Sequence, residues 1–107
     1  MASHLVDLDG TLLISSTQDL ADGARKFLDD IQERGDDLII VTRRGDREFA
    51  GHPIFSKEAT LKALRENGVE FQSIVFDATS PRTVYDDSGC FAVNVMKNQG
   101  MEGLIHP

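Results

Sequence analysis

Two pairs of acids stand where apolar runs end. Leu5-Val6-Asp7-Leu8-Asp9 carries two carboxylates and stops at Gly10, and Thr83-Val84-Tyr85 runs into Asp86-Asp87. Between them, Leu38-Ile39-Ile40-Val41 ends at Thr42, and Arg43, Arg44 and Arg47 follow directly. Carboxylates at the end of a buried strand are costly unless they are paired or bind a metal. Two of them ~5 Å apart repel by roughly 3 kcal/mol at an effective dielectric of ~20. Hard Mg²⁺ takes oxygen ligands and keeps several waters, so two or three carboxylates suffice to hold it. A divalent metal also neutralises a phosphate monoester, whose dianion otherwise repels a carboxylate nucleophile. Strand-end acids with a threonine and arginines nearby are therefore suited to metal-assisted phosphoryl chemistry.

These side chains converge only if the elements bearing them are neighbours. Residues 5–9 read as a short buried strand, and residues 11–18 as a tight turn plus a small flap. Over residues 19–34, Leu20, Ala24, Phe27, Leu28 and Ile31 fall on one helical face, with Ser16 or Asp19 as a cap and Gly35 as a stop. Residues 38–41 are an unbroken β-rich run, suited to a parallel strand covered by helices on both faces. Residues 43–55 read as a loop. A second helix is expected over residues 56–67, capped by Ser56, with a Glu58–Lys62 pair and Gly68 at its end. Residues 73–76, 83–85 and 91–95 read as three further strands. Strands alternating with helices predict a mainly parallel sheet with right-handed crossovers. Ligands of such sheets bind at the carboxyl ends of the strands, where both acid pairs and Thr42 fall. Gly10 lets the backbone turn sharply beneath them.

Asp7-Leu8-Asp9-Gly10-Thr11 has the form D-x-D-G-T directly after an apolar strand. Here the chain resembles the haloacid dehalogenase-like (HAD) phosphohydrolases, whose first motif is hhhDxDGT with h apolar. Residues 38–42 resemble the family's second motif, an apolar strand ending in Thr or Ser, and residues 83–87 its fourth, a strand ending in acids. The resemblance runs from about residue 4 to residue 95. It implies a three-layer Rossmann-like α/β fold, with Asp7 as the nucleophile that forms an aspartyl-phosphate. Asp9 is implied as the general acid and base. Asp7, Asp9, Asp86 and Asp87 are the implied Mg²⁺ ligands, and Thr42 donates to the phosphoryl group. The family's third motif normally supplies a lysine, and in its place this chain has Ala78; Arg82 and Lys57 are the candidate substitutes. Arg43 and its neighbours are candidates for holding a phosphate-bearing leaving group.

Length and composition narrow the reading. The 107 residues predict one domain, residues 1–107. Neither the gap between Thr11 and Leu38 nor that between Thr42 and Asp86 can hold the cap domain that many family members insert. The expected site is open, which suits a large phosphorylated substrate or a homo-oligomer in which a partner subunit acts as the lid. A net charge of −7 disfavours broad nucleic-acid binding. No apolar run approaches the ~20 residues of a membrane span, and Asp7 and Asp9 interrupt the stretch where a signal peptide would need its apolar region. One cysteine, Cys90, excludes an internal disulfide and fits a reducing, cytoplasmic setting. Cys90 and the six phenylalanines read as packing residues.

Two other functions fit parts of this pattern. Ala78 in the lysine's place suits a non-catalytic phosphate- or protein-binding module built on the same fold. A phospho-accepting receiver domain, with Asp77 as acceptor, is similar in length and in its strand-end acids, but D-x-D-G-T does not fit that family's first acidic pair.

Overall fold

The computed structural model describes residues 1–101. The element order is β1 (Ser3–Asp7), α1 (Ala24–Glu33), β2 (Asp37–Val41), α2 (Asp46–Phe49), α3 (Lys57–Glu66) and β3 (Ser73–Val75). The strands form one parallel sheet in the order β1-β2-β3, with Asp7 level with Val41 and Val41 level with Val75. All three carboxyl ends therefore lie along one edge of the α/β domain.

Strand alternation decides what the two faces carry. His4 and Val6 share one face with Leu38, Ile40 and Ile74. On that face Ala24, Phe27, Leu28 and Ile31 of α1 and Leu64 of α3 join Val6, Leu38 and Ile40 in the apolar core. Both helices pack there because the sheet grows in one direction, from β1 to β2 to β3, and right-handed crossovers then fall on the same side. The opposite face carries Leu5, Ile39, Val41 and Val75, of which Leu5 is 55% and Val75 47% exposed. The described residues thus form two layers rather than three. A second helical layer requires the chain to reverse direction past β1, and no described helix does so.

The missing reversal also accounts for the two expected strands that are not formed. Residues 83–85 and 91–95 have no regular structure, and Tyr85 and Phe91 are 91% and 81% exposed. Their flanks are tied to the end of β1 and to the segment between β1 and α1: Arg82 to Asp7, the Asn98 amide to the Gly10 carbonyl, and the Met101 amide to the Asp22 carbonyl. The span between these ties pairs with no strand. Cys90 lies in it and is exposed, so it is not the packing residue its type suggested. Phe91 likewise leaves the core.

The first helix starts later than its periodicity implies. Gly23 has φ of +73°, which a right-handed helix does not accept, so α1 begins at Ala24. Leu20 instead bridges to Leu13 and closes the flap. Neither Ser16 nor Asp19 caps this helix. The α3 boundaries match expectation: the Ser56 hydroxyl accepts from the Ala59 amide, and Gly68 follows the Asn67 C-cap at φ of +65°. Lys62 pairs with Glu66 rather than Glu58. One helical turn, α2, interrupts the expected loop. Among the described residues no helix is long and apolar enough to cross a membrane.

Candidate active site

Asp7 is the last residue of β1, and the chain turns immediately behind it. The amide of Gly10 donates to the Leu13 carbonyl, and the amides of Thr11 and Leu13 donate to that of Leu8. Gly10 has φ of +82°, and a Cβ there would fall 3.0 Å from Cγ of Lys97, so both conformation and space favour glycine. Leu8, Leu12 and Leu13 are fully buried beneath the turn. This apolar plug underlies the D-x-D-G-T backbone.

The Asp7 side chain is 41% exposed. The Thr11 hydroxyl lies 3.3 Å from its Oδ2, and Arg82 Nη1 donates to its Oδ1 at 2.9 Å. Arg82 also donates to the carbonyl of Ala78. Of the two candidate cations, Arg82 is the one in contact with Asp7. Lys57, the other candidate, sits with Nζ 5.7 Å from the centre of the Phe76 ring. Thr42 is buried at the end of β2; its amide donates to the Val75 carbonyl and its hydroxyl accepts from the Arg44 amide at 3.1 Å.

Asp9 has a different environment. Arg44 Nε donates to its Oδ2 at 2.8 Å and Nη2 to its Oδ1 at 2.7 Å. The Arg44 side chain is only 1% exposed. Its remaining N–H groups donate to Gln18 Oε1, the Ile54 carbonyl and the Thr17 carbonyl, so all five find acceptors. The guanidinium also stacks 5.1 Å from the centre of the Phe55 ring, which packs against Phe49 and His52. Arg43 points the other way, to an exposed pair with Glu48.

The expected gathering of four acids is not formed. Asp86 and Asp87 lie in an exposed turn, where Asp86 accepts from the Ser88 amide and Asp87 from its hydroxyl. Among the described residues no group of three or more His, Cys, Asp or Glu side chains could hold a metal ion. Both Asp9 oxygens are engaged by Arg44, and Asp7 faces Arg82. Asp7 keeps its Oδ2 with only the Thr11 hydroxyl beside it, and its side chain is part-exposed. Asp77 is also committed elsewhere: its Oδ1 accepts from the Arg47 amide, and its carboxylate covers Gly45 so closely that a Cβ there would meet it.

Alternation along β2 carried the signal for Arg44. Ile40, Thr42 and Arg44 continue the buried phase, whereas Val41 and Arg43 continue the other. Gln18, Lys97 and Asn98 beside the first turn had no such signal, since they come from loops.

No family model matches the sequence, and no curated protein does. Among solved structures the chain is similar to the crystal structure of an MCSG target from Vibrio cholerae, with 18% identity and a TM-score of 0.57, covering 92% of this chain and 85% of that one. At that identity the likeness shows a shared α/β fold.

Proposed function

We propose that this chain is a phosphomonoester hydrolase of the HAD type, with a single open core domain, acting through an aspartyl-phosphate on Asp7. One observation carries the reading: a part-exposed carboxylate at the carboxyl end of β1, with the Thr11 hydroxyl on one oxygen and the Arg82 guanidinium on the other. A phosphate monoester approaching that edge meets a nucleophile and a cation together. Asp7 Oδ attacks phosphorus and displaces the alkoxide or phenoxide, which takes a proton from Asp9. Water then attacks the acyl phosphate, giving up a proton to Asp9 and releasing inorganic phosphate. Arg82 offsets charge on the phosphoryl oxygens. Thr42 orders the turn into Arg44 through its hydroxyl.

A Mg²⁺ requirement belongs to this proposal on the strength of the motif resemblance; no step above is routed through the ion. Arg43 and Arg47 follow β2 in the chain and belong to the proposal as candidates for an anionic leaving group, with Arg43 exchanging its Glu48 partner for it, and an open edge admits a large one. A cytoplasmic setting is part of the same reading. The decisive experiment is a panel of phosphate monoesters with and without Mg²⁺: wild type hydrolyses at least one, and Asp7→Asn hydrolyses none.

A second reading is favoured by the exposed turn that holds Asp86 and Asp87 away from Asp7. It suits a module that binds phosphate without cleaving it. Phosphate binding without turnover on the panel would select that reading.

A further inference from the structure

We infer that Arg44 is a positioning residue for Asp9, and that it makes the flap and the loop before α3 parts of the acid–base apparatus. This rests on the phosphatase reading for its chemistry, but its geometry stands apart from it. A guanidinium costs much to bury, and here its five donors are met by acceptors from three parts of the chain. Two bonds go to Asp9, two to residues 17 and 18 of the flap, and one to the Ile54 carbonyl. Gln18 extends the link. Its Nε2 donates to the same Ile54 carbonyl, and its own carbonyl accepts from Asn67 at the end of α3.

The planar fork admits one carboxylate orientation. Asp9 therefore cannot rotate freely, and an acid must sit within hydrogen-bond reach of the leaving oxygen to protonate it. Lysine at position 44 keeps the charge but offers a single point donor, so Asp9 would lose its fixed plane. Acid catalysis matters most when the departing alkoxide is strongly basic. Loss of Asp9 alignment is therefore selective: it slows esters of simple alcohols far more than p-nitrophenyl phosphate, whose leaving group departs without help. A merely structural role would slow both alike.

The test compares kcat for an alkyl phosphate and p-nitrophenyl phosphate in wild type, Arg44→Lys, Gln18→Ala and Asp9→Asn. The inference predicts that Arg44→Lys loses roughly tenfold more on the alkyl ester than on the aryl ester, the same direction as Asp9→Asn. Gln18→Ala, at a part-exposed position, shows a smaller loss with the same selectivity and stands in should Arg44→Lys fail to fold. Equal losses on both esters overturn the inference. If wild type hydrolyses neither ester, the phosphatase reading fails on its own. The pairing is then read from unfolding midpoints of Asp9→Asn, Gln18→Ala and their double variant. Non-additive midpoints support the coupling of flap to Asp9 through Arg44, and additive ones overturn it.

Discussion

Arg82 and Asp7 are 75 positions apart in sequence, and their side chains meet at 2.9 Å. That contact brings the last described segment of the chain onto the end of its first strand. It places a guanidinium where the HAD resemblance leads one to expect a lysine near Ala78. If this is the cation of the site, Arg82→Ala should lower phosphate-ester turnover by ~10–100-fold, the equivalent of one charge-assisted hydrogen bond of about 1.5–3 kcal/mol. Arg82→Lys should recover part of it. Kinetics on the two variants check this; unchanged turnover in Arg82→Ala would move the role to Lys57.

Removing the buried guanidinium should be costly to the fold. Arg44→Met leaves Asp9 and three further acceptors without their donor, and breaking such a pair typically costs about 3–5 kcal/mol. Urea unfolding should show the midpoint falling accordingly, while Arg43→Met, at an exposed pair with Glu48, should change stability by less than about 1 kcal/mol. Equal effects at the two positions would contradict the buried clamp.

Acid sensitivity should trace to the amino-terminal end of the sheet. His4 Nε2 lies 2.9 Å from Asp36 Oδ2, and the Ala2 amide donates to Asp36 Oδ1 at 2.8 Å. The bond to His4 and the Ala2 amide, with Arg34 nearby, hold the Asp36 carboxyl below its ordinary value of 3.8. A carboxyl depressed in the folded state stabilises the fold above its unfolded value, and that stability is lost as pH falls through the lower folded value. Urea midpoints followed downward from pH 5 should therefore drop in wild type below about pH 4, and Asp36→Asn should show a flatter acid limb.

Magnesium gives a separate handle on the strand-end acids. Under the hydrolase reading, millimolar Mg²⁺ binds the folded chain and should raise the melting temperature. Asp86→Asn should blunt the rise, and chelation should abolish turnover. A melting curve that does not respond to Mg²⁺ would remove the ion from the account.

Glycine at position 45 should be irreplaceable. Its φ is +152°, and a Cβ would fall 2.6 Å from Asp77 Cγ. Gly45→Ala should lower the melting temperature by several degrees, and pairing it with Asp77→Gly should restore part of the loss by opening space.

The sheet edge was legible in the sequence because its signals are local. An apolar run, two acids and Gly10 define the end of β1 whatever follows. The run from Leu38 to Val41 defines β2 in the same way, and Ser56 and Gly68 bracket α3. Contacts that depend on distant partners were not legible. Asp36 looks like a turn residue until His4 is level with Leu38 across the sheet, beside it. Residues 83–85 and 91–95 have the composition of strands, yet a strand exists only against a neighbour, and their flanks are tied to the end of β1 and to the segment between β1 and α1 instead. Arg44 reads as one of three loop arginines unless the alternation of β2 is carried two residues past its end.

The most direct test of the central claim is to find which residue carries phosphate during turnover. Wild-type protein incubated with p-nitrophenyl phosphate and Mg²⁺, then quenched with borohydride, should show reduction of the acyl phosphate at Asp7 by peptide mapping. Asp7→Asn should show no modified residue and no turnover. A modification at Asp77 instead, or wild-type turnover in Asp7→Asn, would contradict the account.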